Sequence, residues 1–309
     1  MDDLTFLWFW LLSNAEELRN VALIAAALSV PPFVAWRAWL ARRAEQRAAS
    51  RARSEERGRE ADRLAKVFAQ LGSDQIAVRI AAVHTLEQIA RDQPRQHGAI
   101  MQTLGAFVRE QARAPLPRLV GDHYEPPNPG EIYLPVRTDV QAALAVLGRR
   151  QREHDRPIDR PVLANTNLSG YDLSDGDFAG ASFRGSYLCG AVLAGTQLAA
   201  ANLDYAVIER TDFFGADCMG ASFAGAVAPA ARFAHARLDN AQFAEADLRA
   251  ADFTRARLDG AAFEGANLDG AILAEASGLP LPALLPAESE EDMPMLTFKS
   301  QRKQRISPS

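Results

Sequence analysis

The side chains in this sequence that could do chemistry are two cysteines, Cys189 and Cys218, four of the five histidines, His84, His97, His123 and His154, which precede the repeats, and many aspartates after residue 170. Two cysteines make no disulfide framework and fit a reducing compartment. The histidines stand singly, without the short spacing that groups ligands around a metal. The aspartates recur at a fixed step along the chain, and carboxylates at a structural spacing are solvated turn residues more often than general acids. No glycine-rich phosphate loop follows a strand, and no H-E-x-x-H is present. The sequence therefore predicts no catalytic, metal-binding or cofactor-binding residue, and a protein that is not an enzyme.

What remains is surface chemistry. Tyr187, Val207 and Val227 lie twenty residues apart, in the neighbourhood of Tyr205, Phe214, Met219 and Pro229. If the chain coils with that repeat, these seven residues form an exposed apolar patch, which is what a docking surface for another protein requires. The same region carries 15 acidic and 7 basic residues between 161 and 276. A slender acidic rod can imitate duplex DNA and engage a DNA-binding enzyme. Against that reading, Asp212, Arg232 and Asp252 alternate in sign at steps of twenty, as do Asp217 and Arg237, and such columns look like stabilisation between stacked coils. Nucleic acid itself is not an expected partner.

The elements that must position these residues follow from a period of five. From Leu163 to Leu273 every fifth position is a large apolar residue, interrupted only by Cys218 and Ala228, and a small residue stands two places earlier in most units. Helices repeat a face every 3.6 residues and strands every two, so neither explains the pattern. The regularity predicts a repeat architecture in which each unit buries its apolar side against its neighbours. The large centre and the small residue point inward, and the other three positions turn and face water. One right-angle corner per pentad closes a square coil every twenty residues, with stacked coils at the ~4.8 Å strand spacing. Sorted by twenties, Phe183, Phe223, Phe243 and Phe263 fall on one side, and Phe213, Phe233 and Phe253 fall on the opposite one. Cys218 becomes an inward filler. At "AVAPA", Ala226 to Ala230, the missing large centre and Pro229 predict a local thinning or bulge.

The chain has 309 residues and a formal net charge of −5, enough length for several domains and a sizeable core. Residues 1–40 contain "VALIAAALSVPPFVAW", Val21 to Trp36, which predicts a single membrane span. The shorter run Leu4 to Leu12 is expected to lie in the interface, where Trp prefers to sit. Arg37, Arg42, Arg43, Arg47, Arg51 and Arg53 follow the span, so the positive-inside bias leaves everything after Arg37 in the cytoplasm. Residues 41–72 predict a polar helical stalk. Residues 73–160 predict a helical hairpin opened by Ser73 as N-cap, a Pro-rich irregular connection from Ala114 to Arg137, and a third helix capped by Asp139 and stopped by Gly148. Residues 161–276 are the period-five coil. In 277–309, "GLPLPALLP" is expected to cover the last coil or pair it with a second copy, since an open coil invites self-association at its ends; a polar tail follows.

The pentads "ANLDG", "ADLRA" and "ADFTR" resemble the A(D/N)Lxx pattern of pentapeptide-repeat proteins. That resemblance implies a right-handed quadrilateral β-helix, here preceded by the N-terminal transmembrane helix and helical neck, making a mixed α and β chain. "RNVALIAAALSVPPFVAWRAWLARR", "VRIAAVHTLEQIARD" and "VQAALAVLGRR" resemble a bacterial, membrane-anchored subgroup, which implies the inner membrane as location. The quinolone-resistance members of the family mimic DNA at topoisomerases. The leading expectation is a membrane-anchored scaffold or adaptor, and the alternative is a DNA-mimic regulator of a topoisomerase or other DNA-binding enzyme.

Overall fold

The computed structural model describes residues 2–115, 118–120, 123–125, 129–155 and 159–278. The tail after Pro286 and the "GLPLPALLP" segment beyond Gly278 lie outside them. The chain divides into two compact units, Met1–Ala69 and Gln70–Ser309.

The first unit is helical. α1 spans Asp2–Ser13, and α2 runs without a break over Ala15–Leu71, a length of about 86 Å at 1.5 Å per residue. The sequence boundary between span and stalk at residue 40 is therefore not a break in secondary structure. Residues 41–71, dominated by the helix formers Ala, Arg and Glu, simply continue the helix. Leu7, Trp8, Phe9 and Trp10 of α1 and Trp36 and Trp39 of α2 are all about half exposed or more. Among the described residues no helix is long and apolar enough to cross a membrane. The side chains of residues 21–35, nearly all of the expected span, lie outside the described residues.

The second unit opens with α3 (Ile76–Asp92) and α4 (Pro94–Gln111), followed by a small antiparallel pair β1 (Arg118–Val120) and β2 (His123–Glu125), a short α5 (Pro129–Ile132) and α6 (Thr138–Gly148). The pairing of Leu119 with Tyr124 corrects the expectation of an irregular connection there. Val83, Leu86, Ile100, Leu104, Val108, Val140, Leu144 and Leu147 are essentially inaccessible and form the joint core of α3, α4 and α6. Gln75, not Ser73, is the N-cap of α3, and the Ser73 hydroxyl accepts a bond from the Gln75 N–H at 3.2 Å. Asp139 is not a cap either. It sits inside the first turn of α6, fully buried, where Arg79 Nε donates to it at 2.6 Å and Arg137 Nη2 at 2.9 Å. Burial alone would raise this carboxyl, but the hydrogen bonds and charges of Arg137 and Arg79 outweigh it and hold Asp139 below the usual carboxylate range.

The period of five then builds the coil. Residues one place before each centre pair in parallel at steps of twenty, for example Asn167, Tyr187, Val207, Val227 and Asp247. Four pentads thus make one turn, as expected. From Leu168 onward each pentad turns its corner with the centre's carbonyl accepting a bond from the N–H three residues on, as from Ala236 N–H to Phe233 at 3.0 Å. The second residue after every centre has positive φ, Gly in some units and Asn165, Tyr205, Arg210 or Ala250 in others. A positive φ at the third turn position alone is the type II pattern. Inside, Phe213, Phe233 and Phe253 stack at 4.8 and 5.1 Å, Phe223, Phe243 and Phe263 stack at 4.8 and 5.0 Å, and the two columns meet edge to face at 5.5–6.1 Å. Where Thr196 or Thr211 replaces the small Ala, its hydroxyl donates to the carbonyl of Leu173 or Leu188 in the preceding coil.

No bulge occurs at Pro229. The ladder runs through it, with Ile208 N–H bonded to Val227 at 2.7 Å and Ala228 N–H to Asp247 at 2.8 Å. The reason is positional. Pro229 is the second residue of a type II turn, where its fixed φ is favoured, and the ladder does not use the N–H at that position.

Two outcomes are expected. Phe233→Ala, which opens the shared aromatic column, should destabilise the coil by about 3–5 kcal/mol in thermal or denaturant unfolding. Asp139→Asn should destabilise the helical core at neutral pH. Because the folded carboxyl is held low, the wild-type advantage exists above the ordinary carboxylate range near pH ~4 and should vanish as pH falls through the depressed value.

Candidate functional site

The recurrent acids are occupied by structure. Asp212, Asp247 and Asp252, each one place before a centre, accept bonds from the N–H two residues later, at 2.9, 3.3 and 2.9 Å. These are the turn N–H groups left free by the ladder, so Asp or Asn at this position completes the corner. The sign-alternating columns are ion pairs between coils: Arg232 to Asp212 at 3.2 Å, Arg237 to Asp217 at 3.0 Å, Arg184 to Asp204 at 3.4 Å and Arg255 to Glu275 at 2.7 Å. Exposed pairs of this kind contribute about 0–1 kcal/mol each. Their main consequence is to break any continuous column of negative charge.

The candidate apolar patch is only partly assembled. Tyr187, Val207 and Val227 do stack on one side of the coil, with Pro229 on the same side and Tyr205 at its leading corner. Phe214 and Met219 do not join them. They follow centres Phe213 and Cys218 and so belong to the next two sides, where Arg232 covers the Phe214 ring at 4.4 Å and Arg237 lies 3.7 Å from the Met219 sulfur. The exposure of the column also changes along its length. Asn167, its first member, donates to the backbone carbonyls of Glu131 and Ile132, and the Arg137 N–H donates to the Tyr171 hydroxyl at 3.1 Å. Residues 131–137 thus lie over the start of this side. Tyr187 is buried there, Val207 is half-buried, and Val227 is 41% exposed beside the exposed Tyr205. Sequence spacing could place the column but not the covering segment, which comes from more than fifty residues upstream.

A second cluster escaped sequence reasoning because its members are far apart in the chain. His97 of α4 is buried, with Nε2 3.0 Å from Asp155, whose other oxygen accepts from Arg150 Nε at 2.8 Å. The His154 ring meets His97 at 5.8 Å. Among the described residues, no group of three or more His, Cys, Asp or Glu is placed to hold a metal ion. Burial pushes both the Cys189 and the Cys218 thiol up, and Cys218 is completely enclosed.

The Pentapeptide repeats family profile matches residues 181–217, 216–255 and 246–277, in eight copies. The coil is built of pentapeptide repeats. Solved pentapeptide-repeat structures are among those to which the chain is similar. QnrB1, a plasmid-mediated fluoroquinolone resistance protein, is 22% identical over 38% of this chain and 62% of its own, with a TM-score of 0.31. A pentapeptide repeat protein from the thylakoid lumen of Arabidopsis thaliana is 26% identical over 32% of this chain and 63% of its own, with a TM-score of 0.22. HetL, involved in heterocyst differentiation regulation in the cyanobacterium Nostoc, is 25% identical over 38% of this chain and 61% of its own, with a TM-score of 0.24. The chain thus spans about three-fifths of the length of each of these structures. No curated protein matches the sequence.

Both thiols should resist alkylation in the native protein at pH 7–8 and react only on unfolding. Mass analysis after iodoacetamide treatment, with and without denaturant, measures this directly.

Proposed function

We propose that this protein is a non-enzymatic adaptor, held at a bacterial inner membrane by the segment around Val21 to Trp36, that presents its pentapeptide-repeat coil in the cytoplasm to a protein partner. The observation that carries the docking reading is the column Val207 and Val227, with Tyr205 and Pro229, continuing past the segment that buries Tyr187. A flat, stiff, partly apolar side of this kind loses little conformational entropy when a partner covers it. The anchor reading is supported by the apolar stretch itself, by the exposed Trp8 and Trp10 before it and Trp36 and Trp39 at its end, and by the arginines that follow. The acidic balance of the coil favours a second reading, mimicry of DNA at a DNA-binding enzyme. The Arg columns that interleave with the aspartates weigh against it.

The test is to capture the full chain from detergent-solubilised membranes beside its Val227→Asp form. Sedimentation of the chain with carbonate-washed membranes and loss of a bound protein in Val227→Asp are expected. A chain recovered wholly in the wash would contradict the anchor. A DNA-processing enzyme retained by both forms and released by salt would move the function to the acidic columns.

A further inference from the structure

Beside the cap of the coil lies a cleft of about 380 Å³ that the docking reading does not use. Arg150, Arg152 and Arg160 line it, together with Asp155 and the backbone-rich corners at Gly180 and Ala200. Arg150 is buried, and its Nε and Nη1 are spent on Asp155, the Leu147 carbonyl and the Asp177 carbonyl. Among the described residues no acceptor meets its Nη2. Arg152 is 59% exposed and reaches Asp177 only at 3.4 Å. Arg160 has no carboxylate partner among the described residues. It lies flat against the corner at Gly180, where a Cβ would come within 2.9 Å of its Cδ and Nε, so the glycine sets where its guanidinium can sit.

The two carboxylates do not neutralise this group. One Asp155 oxygen faces His97 Nε2 and the other Arg150. Asp177 accepts from the Ala179 N–H at 3.1 Å on one oxygen and faces Arg152 on the other. Three arginines therefore line one cleft whose single lining acid, Asp155, is already engaged, and the walls at Ala179, Gly180, Ala199 and Ala200 leave room instead of side chains. Planar, forked donors arranged around an open space match a tetrahedral oxyanion better than a flexible ammonium would.

We infer that this cleft is a binding site for a phosphate group, either free in solution or carried on a lipid headgroup. Arg150 supplies a fixed donor from the floor, and Arg152 and Arg160 close on the anion from the rim.

The experiment titrates the full chain in detergent with inorganic phosphate in chloride buffer, by calorimetry, and measures its binding to phosphatidylcholine vesicles with and without phosphatidic acid. Wild type is compared with the double variant Arg152→Gln/Arg160→Gln, whose changes fall on exposed side chains, and with Gly180→Ala, which displaces Arg160 without altering charge. Wild type should bind phosphate at least tenfold more tightly than the double variant, and Gly180→Ala should fall between them. An arginine-dependent gain on phosphatidic acid vesicles would assign the phosphate to a lipid, and its absence alongside phosphate binding would assign it to a soluble ligand; either supports the site. No measurable phosphate binding, or equal binding by wild type and a double variant that unfolds at the wild-type temperature, overturns it.

Discussion

The backbone hydrogen bond between one coil and the next is the interaction on which the rest of this structure depends. In each pentad the centre and the residue before it give their N–H groups to neighbouring coils, and the second residue after the centre does the same. That pattern leaves two N–H groups in five outside the ladder, one taken by the turn bond to the centre's carbonyl and one, just after the centre, free, and the sequence rules follow from it. The free position accepts Pro229 without damage. The aspartate or asparagine before the centre supplies the missing acceptor elsewhere. The corner must adopt positive φ even where no glycine is available, at a cost of about 1–2 kcal/mol for residues such as Ala250 or Arg255. Coil stacking and the aromatic columns inside offset that cost.

A ladder of this kind has an open edge, and much of the helical region from α3 to α6 is used to close it. Asp177 N–H donates to the Gly148 carbonyl at the end of α6, and Asn167 N–H donates to Ala112 just beyond α4. On a third side the Gln141 side-chain amide behaves as a strand would, accepting from Asp172 N–H at 3.1 Å and donating to its carbonyl at 2.6 Å. Arg109 reaches the Val162 carbonyl on the fourth. The buried Arg79–Asp139–Arg137 cluster ties α3 to α6 and so fixes the position of this cap. A broken pair there would expose an uncompensated buried charge, which is why its contribution to the fold is larger than that of the surface ion pairs.

The coil was legible in the sequence because its determinants are local and repeat. The step of five located every centre from Leu163 to Leu273, the corners, the twenty-residue register and the opposed aromatic columns. Features set by distant contacts were not legible. Asp139 looks like a helix cap until Arg79, sixty residues earlier, is placed beside it. Phe214 and Met219 are near Val207 in the sequence and lie on other sides of the coil. The burial of Tyr187 depends on residues 131–137, and the cleft at Arg150 depends on corners thirty to fifty residues downstream. In each case the chemistry of the residue was visible and its neighbours were not.

Residue-resolved hydrogen exchange of the native chain tests the central claim, that a capped ladder holds the coil, most directly. The account predicts strong, similar protection at the Asn167, Asp172 and Asp177 amides of the first coil and at centres such as Leu188, Phe213 and Phe233, with rapid exchange at the turn amides of Ser174, Phe214 and Arg249. Fast exchange at Asn167, Asp172 and Asp177 while Phe233 stays protected would contradict it, because the coil would then be stable without its cap.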